Sequence, residues 1–289
     1  MSSVAILIML FVKDDLLNKI IDKLKEVEGI DNVHLVFLHD NIVGSKFFDF
    51  NKFINNFINC QHIIKNRINE FKSAEYICND YNKGVYRTHY EGLEYCLSKH
   101  KYVIYIEDDV VVTKNFLNFF NYFFNNNLLG LGENKIQFIA GESIFFESRK
   151  KDYEFTEEKF SLLLDYIEKK KLNTYYHIQN TWCPSSCFCI SDEIWVVIKH
   201  IKNQNHSDTL LSKFIRDNNL KTVMPIIPLC EDIGMLHDSG YSVQIHTKNN
   251  VSETKNGYIF EELKSQHSYE LYKDNTSIIY GEIRNIMYK

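Results

Sequence analysis

The period of the apolar positions changes from block to block along the chain. Residues 4–11, "VAILIMLF", form an unbroken apolar run, the pattern of a strand covered on both faces. In "KDDLLNKIIDKLKEVEG" the positions Leu16, Leu17, Ile20, Ile21, Leu24 and Val27 recur at helical spacing, with acids in the first turn and Gly29 as the stop. "NVHLVFLHD" then predicts a second strand that ends in His39 and Asp40. Strand, helix, strand in this order signals a right-handed parallel unit. Residues 46–72 are expected to be helical, with Phe47, Phe50, Phe53, Ile54, Phe57 and Ile58 on a broad apolar face. A short strand is expected at "YIC". The stripe Tyr86, Tyr90, Leu93 and Leu97 then predicts a helix feeding the strand "YVIYI". Thr113 or Asn115 is placed to cap a further helix carrying Phe116, Leu117, Phe119 and Phe120.

The second half is less regular. "IQFIAG" and "VVIKHI" are apolar segments, and "TWCPSSCFCISDEIW" has the form of a turn followed by a strand or a helix start. "TVMPIIPL" and "YSVQIH" are expected strands. There is no internal repeat and no linker. The pattern predicts one fused domain spanning 1–289, with a nucleotide-type half to about residue 120 and a variable half beyond it.

One stretch conflicts with its surroundings. Glu107, Asp108 and Asp109 stand directly between "YVIYI" and three valines, where unpaired charge is most costly. In open α/β sheets, ligands bind beyond the carboxyl ends of strands, and the triplet sits at such an end. Along an extended chain Glu107 and Asp109 would share one side, with Asp108 on the other. Carboxylates this crowded hold protons unless a cation neutralises them. A hard divalent ion, Mn²⁺ or Mg²⁺, takes carboxylate and phosphate oxygens together.

Composition narrows the classes. Hydrophobic residues make up 45% and charged residues 25% of the 289, which is globular. A net charge of −5 with no basic run argues against a nucleic-acid partner and an anionic-membrane surface. Seven cysteines at irregular spacing suit reduced thiols and a cytoplasmic setting. Cys183, Cys187 and Cys189 have no second cluster that would complete a zinc site. The N-terminal apolar run is too short to span a bilayer and lacks signal-peptide flanks. No transmembrane segment is therefore expected, and a peripheral membrane contact stays open.

"YVIYIEDDVVVTKNFLNFF" resembles the signature of GT-A glycosyltransferases, above all the N-acetylglucosaminyltransferase I group. "VAILIMLFVKDDLLNKIIDKL", "VHLVFLHD", "WCPSSCFCISDEIW" and "HSDTLLSKFIRDN" are similar to further segments of that group. The resemblance implies a GT-A, Rossmann-like α/β fold, a mixed sheet flanked by helices. It implies a nucleotide-sugar donor, a UDP-sugar with N-acetylhexosamine favoured, and inverting transfer to a glycan, lipid-linked or protein acceptor. It implies Asp109 as metal ligand, Glu107 and Asp108 as contacts to ribose and donor sugar, and Asp40 near the base. Lys13 lies where the group uses an arginine, which keeps the charge but loses the bidentate fork. Asp208 matches the catalytic-base position, although the group has two adjacent acids there. Glu231 and Asp232 in "CEDIG" are the alternatives. His237 lies where some GT-A enzymes place a histidine metal ligand. The family's anchor and stem are not expected here. Two rival classes remain. A sugar-phosphate nucleotidyltransferase would carry an early glycine-rich loop, which "MLFVKDDLL" lacks. A non-catalytic glycan-binding protein would keep the fold and need no metal.

Overall fold

The structure is a computed structural model that describes residues 2–45, 49–142, 161–162, 165–166, 169, 176–179, 183, 185–204, 207–225 and 229–234. The first apolar run is strand β1 (Val4–Leu10), and it lies between two parallel neighbours, β2 (His34–His39) and β4 (Tyr102–Glu107). β3 (Ala74–Cys78) adds to the far edge of β2 in parallel. Two helices connect these strands on one side, α1 (Asp14–Glu26) and α2 (Phe50–Arg67). α3 (Val85–Leu97) brings the chain back to β4.

β1 is buried on both faces because each face has its own helices. Ile6, Ile8 and Leu10 pack with Leu17, Ile20, Ile21 and Leu24 of α1 and with Cys60 and Ile64 of α2. Ala5 and Leu7 pack with Leu93, Cys96 and Leu97 of α3. Each such aliphatic side chain taken from water contributes about 1.5–3 kcal/mol. Gly92 lets α3 sit this close. A Cβ there would come within 2.7 Å of Leu38 Cδ2 and 2.9 Å of Leu7 Cδ2.

After the acids the chain makes short β5 (Val110–Val112) and α4 (Phe116–Asn125), whose phenylalanines Phe116, Phe119, Phe120 and Phe123 enter the same core as α1. Asn115 stands at the N-cap of α4 but makes no side-chain capping bond, and the Phe116 amide donates to the Thr113 carbonyl instead. The second half continues the same sheet with β6 (Phe138–Ala140), β7 (Tyr176–Gln179), β8 (Cys187–Ser191) and β9 (Thr222–Pro225). Its order is β3-β2-β1-β4-β8-β6-β9-β7. β8 is antiparallel to both β4 and β6, and β7 is antiparallel to β9. A mixed α/β sheet flanked by helices is therefore the architecture.

"CFCIS" is a strand, and Ser191 caps the following helix α5 (Asp192–Lys202) by accepting from the Ile194 amide. "VVIKHI" belongs to that helix. α6 (Ser207–Asp217) packs beside it. β10 (Cys230–Asp232) pairs with β5 in a separate two-stranded ribbon. The helix expected over 46–72 covers Phe50–Arg67 and ends in a 3₁₀ turn at Ile68–Glu70. Residues 46–48 and the "YSVQIH" segment lie outside the described residues.

Candidate active site

The strand order reverses at β1. β2 and β3 lie on one side of it, and β4 lies on the other. The carboxyl ends of β1 and β4 mark the topological switch point, the usual ligand position in such sheets. Lys13 follows β1 there, and Glu107, Asp108 and Asp109 end β4.

The three acids do not keep a strand's alternation. β4 stops at Glu107, and Asp108–Asp109 form a turn before β5. The turn brings Asp108 and Asp109 together onto Lys13, instead of setting Asp108 apart. The Lys13 ammonium donates to Asp108 Oδ1 at 2.8 Å and to Asp109 Oδ2. Asp108 Oδ2 accepts from the Phe11 amide at 2.8 Å. Asp109 Oδ1 is buried with no hydrogen-bond partner.

The electrostatics follow from this crowding. Burial would push the Lys13 amine toward neutrality, but Asp108 and Asp109 more than offset it and hold the ammonium well above its ordinary range. Burial and the Asp109 charge hold a proton on Glu107 far above the usual carboxylate range, against the pull of Lys13. Burial also raises Asp109, with Lys13 opposing.

Two further elements close on the triplet. β10 pairs antiparallel with β5, Glu231 opposite Val111 and Asp232 opposite Val110. The Ile233 amide then donates to the Asp109 carbonyl at 2.7 Å. Asp232 is near enough to Glu107 to raise its proton affinity, and its Oδ1 accepts from the Gly234 amide at 2.9 Å. On the other side the Glu107 amide donates to the Ser186 carbonyl at 3.0 Å, and the Ser186 hydroxyl donates to Glu142. Glu142 had no signal in its own sequence neighbourhood. It reaches the site because β8 is the neighbour of both β4 and β6.

Asp40, expected near the base, holds its carboxylate against the neighbouring loops. Its Oδ1 accepts from the amides of Asn41 (3.1 Å) and Lys83 (2.9 Å) and from the Asn79 side chain (2.9 Å). Its Oδ2 accepts from the Gly84 amide (2.9 Å) and the Asn82 side chain (3.0 Å). The carboxylate thus ties the loop after β2 to the loop that starts α3.

Asp208 lies in the first turn of α6. Its Oδ1 accepts at 3.0 Å from Lys202, whose side chain is 1% exposed and lies over the Phe188 ring. Burial holds the proton on the Tyr105 hydroxyl well above its ordinary range, and the charges of Glu107 and Asp208 add to the effect. His237 lies outside the described residues. Among the described residues no group of three His, Cys, Asp or Glu side chains is arranged to hold a metal. The unpartnered Asp109 Oδ1 nevertheless fits a hard cation that takes its other ligands from a phosphate and water. All seven cysteines are free thiols. Cys187 and Cys189 face the α1 side of the sheet, whereas Cys183 belongs to the core on the α3 side.

No protein-family model matches the chain, and no curated protein matches it. Among solved structures it is similar to S. aureus TarS 1–349 in complex with UDP, at 11% identity and a TM-score of 0.47, covering 79% of this chain and 58% of that one. It is similar to TarS 1–349 without the nucleotide at 9% identity and a TM-score of 0.49, with the same coverage. It is also similar to the mannosyltransferase PcManGT from Pyrobaculum calidifontis in complex with GDP-Man and Mn²⁺, at 10% identity and a TM-score of 0.48, covering 84% of this chain and 59% of that one. The chain spans under three fifths of the length of these structures.

Among the described residues no helix is long and apolar enough to cross a membrane. Of the residues singled out in the sequence, Lys13, Glu107, Asp108, Asp109 and Asp232 converge around one turn, with Glu231 next in the ribbon opposite Val111. Asp40 stands beside them as a brace for the loops, since its amide donates to the Leu10 carbonyl at 3.0 Å.

Proposed function

We propose that this chain is a metal-dependent GT-A glycosyltransferase that moves a sugar from a nucleotide-sugar, a UDP-sugar in the first instance, to an acceptor hydroxyl with inversion. The observation that carries the reading is the buried, unpartnered Oδ1 of Asp109 at the sheet's switch point, beside the Lys13 ammonium. A site built for one anion would not collect three carboxylates, and a site for a cation alone would not hold a lysine. Both together suit a diphosphate that arrives with a divalent ion. Asp109 would hold that ion, Mn²⁺ or Mg²⁺, and the bound ion would carry charge on the leaving diphosphate. Lys13 would take further diphosphate charge. Glu107 and Asp108 would line the donor side, with ribose and sugar as their partners. Asp40 would act through the loops it braces near the base. N-acetylhexosamine as the donor sugar rests on the resemblance to the N-acetylglucosaminyltransferase I group.

In an inverting transfer the acceptor oxygen attacks the anomeric carbon as the bond to the diphosphate breaks, and one carboxylate takes the hydroxyl proton. Asp232 is our assignment for that carboxylate. What supports it over Asp208 is its ladder position beside the triplet and its nearness to Glu107. Calorimetry with UDP, with and without Mn²⁺, tests the reading. Binding that requires Mn²⁺ is expected, followed by hydrolysis of one nucleotide-sugar in a donor screen. No UDP binding at millimolar Mn²⁺ would remove the UDP donor, and no binding of GDP either would remove the glycosyltransferase reading and leave a scaffold or glycan-binding role.

A further inference from the structure

The two oxygens of Asp109 have different fates. Oδ2 accepts from the Lys13 ammonium, and Oδ1 is buried without a partner. Asp108 has no spare oxygen of this kind, because Lys13 takes one and the Phe11 amide takes the other. The ammonium therefore stands where a cation bridging the two acids would stand. The Lys13 side chain is itself only 13% exposed. Its backbone is fixed, since the Lys13 carbonyl accepts from the Leu17 amide at the start of α1. Its side chain is not fixed in the same way, being a four-carbon stem with a freely rotating ammonium.

We propose that Lys13 is the resident counter-ion of the Asp108–Asp109 pair in the donor-free protein, and that a diphosphate and a divalent cation replace it together. The diphosphate draws the ammonium away from Asp109, and the released carboxylate takes the metal. This deepens the functional reading above and rests on it. An ammonium and a divalent ion a few ångströms apart on one carboxylate repel each other strongly in a site of low polarity. An anion between them removes that repulsion. Stripping Lys13 away with nothing in its place would leave two buried carboxylates uncompensated. Metal and diphosphate each bind poorly alone, and each strengthens the other by the same factor.

The test follows free Mn²⁺ by electron paramagnetic resonance in titrations without anion, with inorganic pyrophosphate and with UDP, corrected for Mn²⁺ chelated in solution. For the wild type, either anion should tighten Mn²⁺ binding about tenfold or more. Lys13→Met should bind Mn²⁺ alone about tenfold tighter than the wild type and gain little from pyrophosphate. Lys13→Arg keeps the charge and should keep the wild-type weakness. Asp109→Asn should bind no Mn²⁺ at this site under any condition. Wild type that binds Mn²⁺ equally well with and without anion overturns the exchange, and that measurement needs no variant to fold. Folded Lys13→Met with wild-type Mn²⁺ affinity overturns it as well. Coupling to pyrophosphate but not UDP keeps the exchange and removes the nucleotide reading. Folded Lys13→Met that keeps both the wild-type affinity for Mn²⁺ alone and the wild-type gain from UDP does the reverse. No Mn²⁺ binding under any condition removes both.

Discussion

Gly234 lies so close to Asp109 that a Cβ on it would overlap the Asp109 side chain, with Oδ2 only 2.7 Å away. The segment after β10 is thus pressed onto the acid that would hold the metal.

Gly234→Ala should therefore damage the site more than the fold. The added methyl meets the Asp109 Cβ, which cannot swing aside as the end of a long side chain could. Overpacking of this kind costs about 1–3 kcal/mol, to be seen as a fall of several degrees in Tm. Mn²⁺-dependent UDP affinity should fall at least tenfold. Calorimetry beside a thermal melt checks this, and unchanged UDP affinity would mean that Gly234 does not shape the metal position.

The base assignment separates by kinetics. Asp232→Asn should lower turnover by ~10²–10⁴ while UDP affinity stays near wild type, because a general base acts on the acceptor. Asp208→Asn and Glu231→Gln should stay within a few-fold of wild type in turnover. If Asp208→Asn is the inactive variant, the base lies on α6 and Lys202 is its immediate partner.

Asp40→Asn tests whether Asp40 braces loops or touches ligand. One oxygen that serves backbone amides is lost, and unsatisfied buried donors cost about 1–3 kcal/mol. A fall in Tm together with weaker UDP binding is expected. Weaker binding at wild-type Tm would instead make Asp40 a direct ligand contact.

Acid should weaken the protein through His39 and His89. Burial lowers His39 to about 4 from an ordinary 6.5, and burial with the Lys202 charge holds His89 well below its ordinary value. The unfolded chain therefore binds more protons than the folded one between about pH 6.5 and pH 4. The stability these neutral rings contribute is complete above that window and is lost as pH falls through it. His39 alone accounts for a loss of about 2 kcal/mol between pH 7 and pH 5. Denaturant melts of His39→Gln at the two pH values should show a correspondingly smaller difference than wild type. Equal differences would mean that His39 stays neutral in both states or charged in both.

The legible parts of the chain were those where one local rule decides. β1, α1 and β2 followed from period, and the acid triplet from charge set against an apolar run. "TWCPSSCFCISDEIW" read as a turn followed by a strand or a helix start, and Ser191 within it caps α5. What stayed hidden depends on partners far away in sequence. Val110–Val112 and Cys230–Asp232 are too short to announce themselves, and only their pairing makes the ribbon that brings Asp232 to Asp109. Lys202 near the end of α5 looks like a surface lysine, yet it is buried against Phe188. The turn at Asp108–Asp109 was invisible because neighbouring valines extend the strand pattern through it.

The antiparallel seat of β8 beside β4 has a consequence for synthesis on the ribosome. Ile106 finds its partner in Cys187, about 80 residues later, and at 5–20 residues per second that interval lasts about 4–16 s. Throughout it, the "YVIYI" edge has β1 on one side and nothing of its own chain on the other. An apolar, uncovered edge is the form most open to pairing with another molecule. A nascent or truncated chain ending between α4 and β8 is thus the species in which this protein is most exposed to aggregation and most in need of a chaperone.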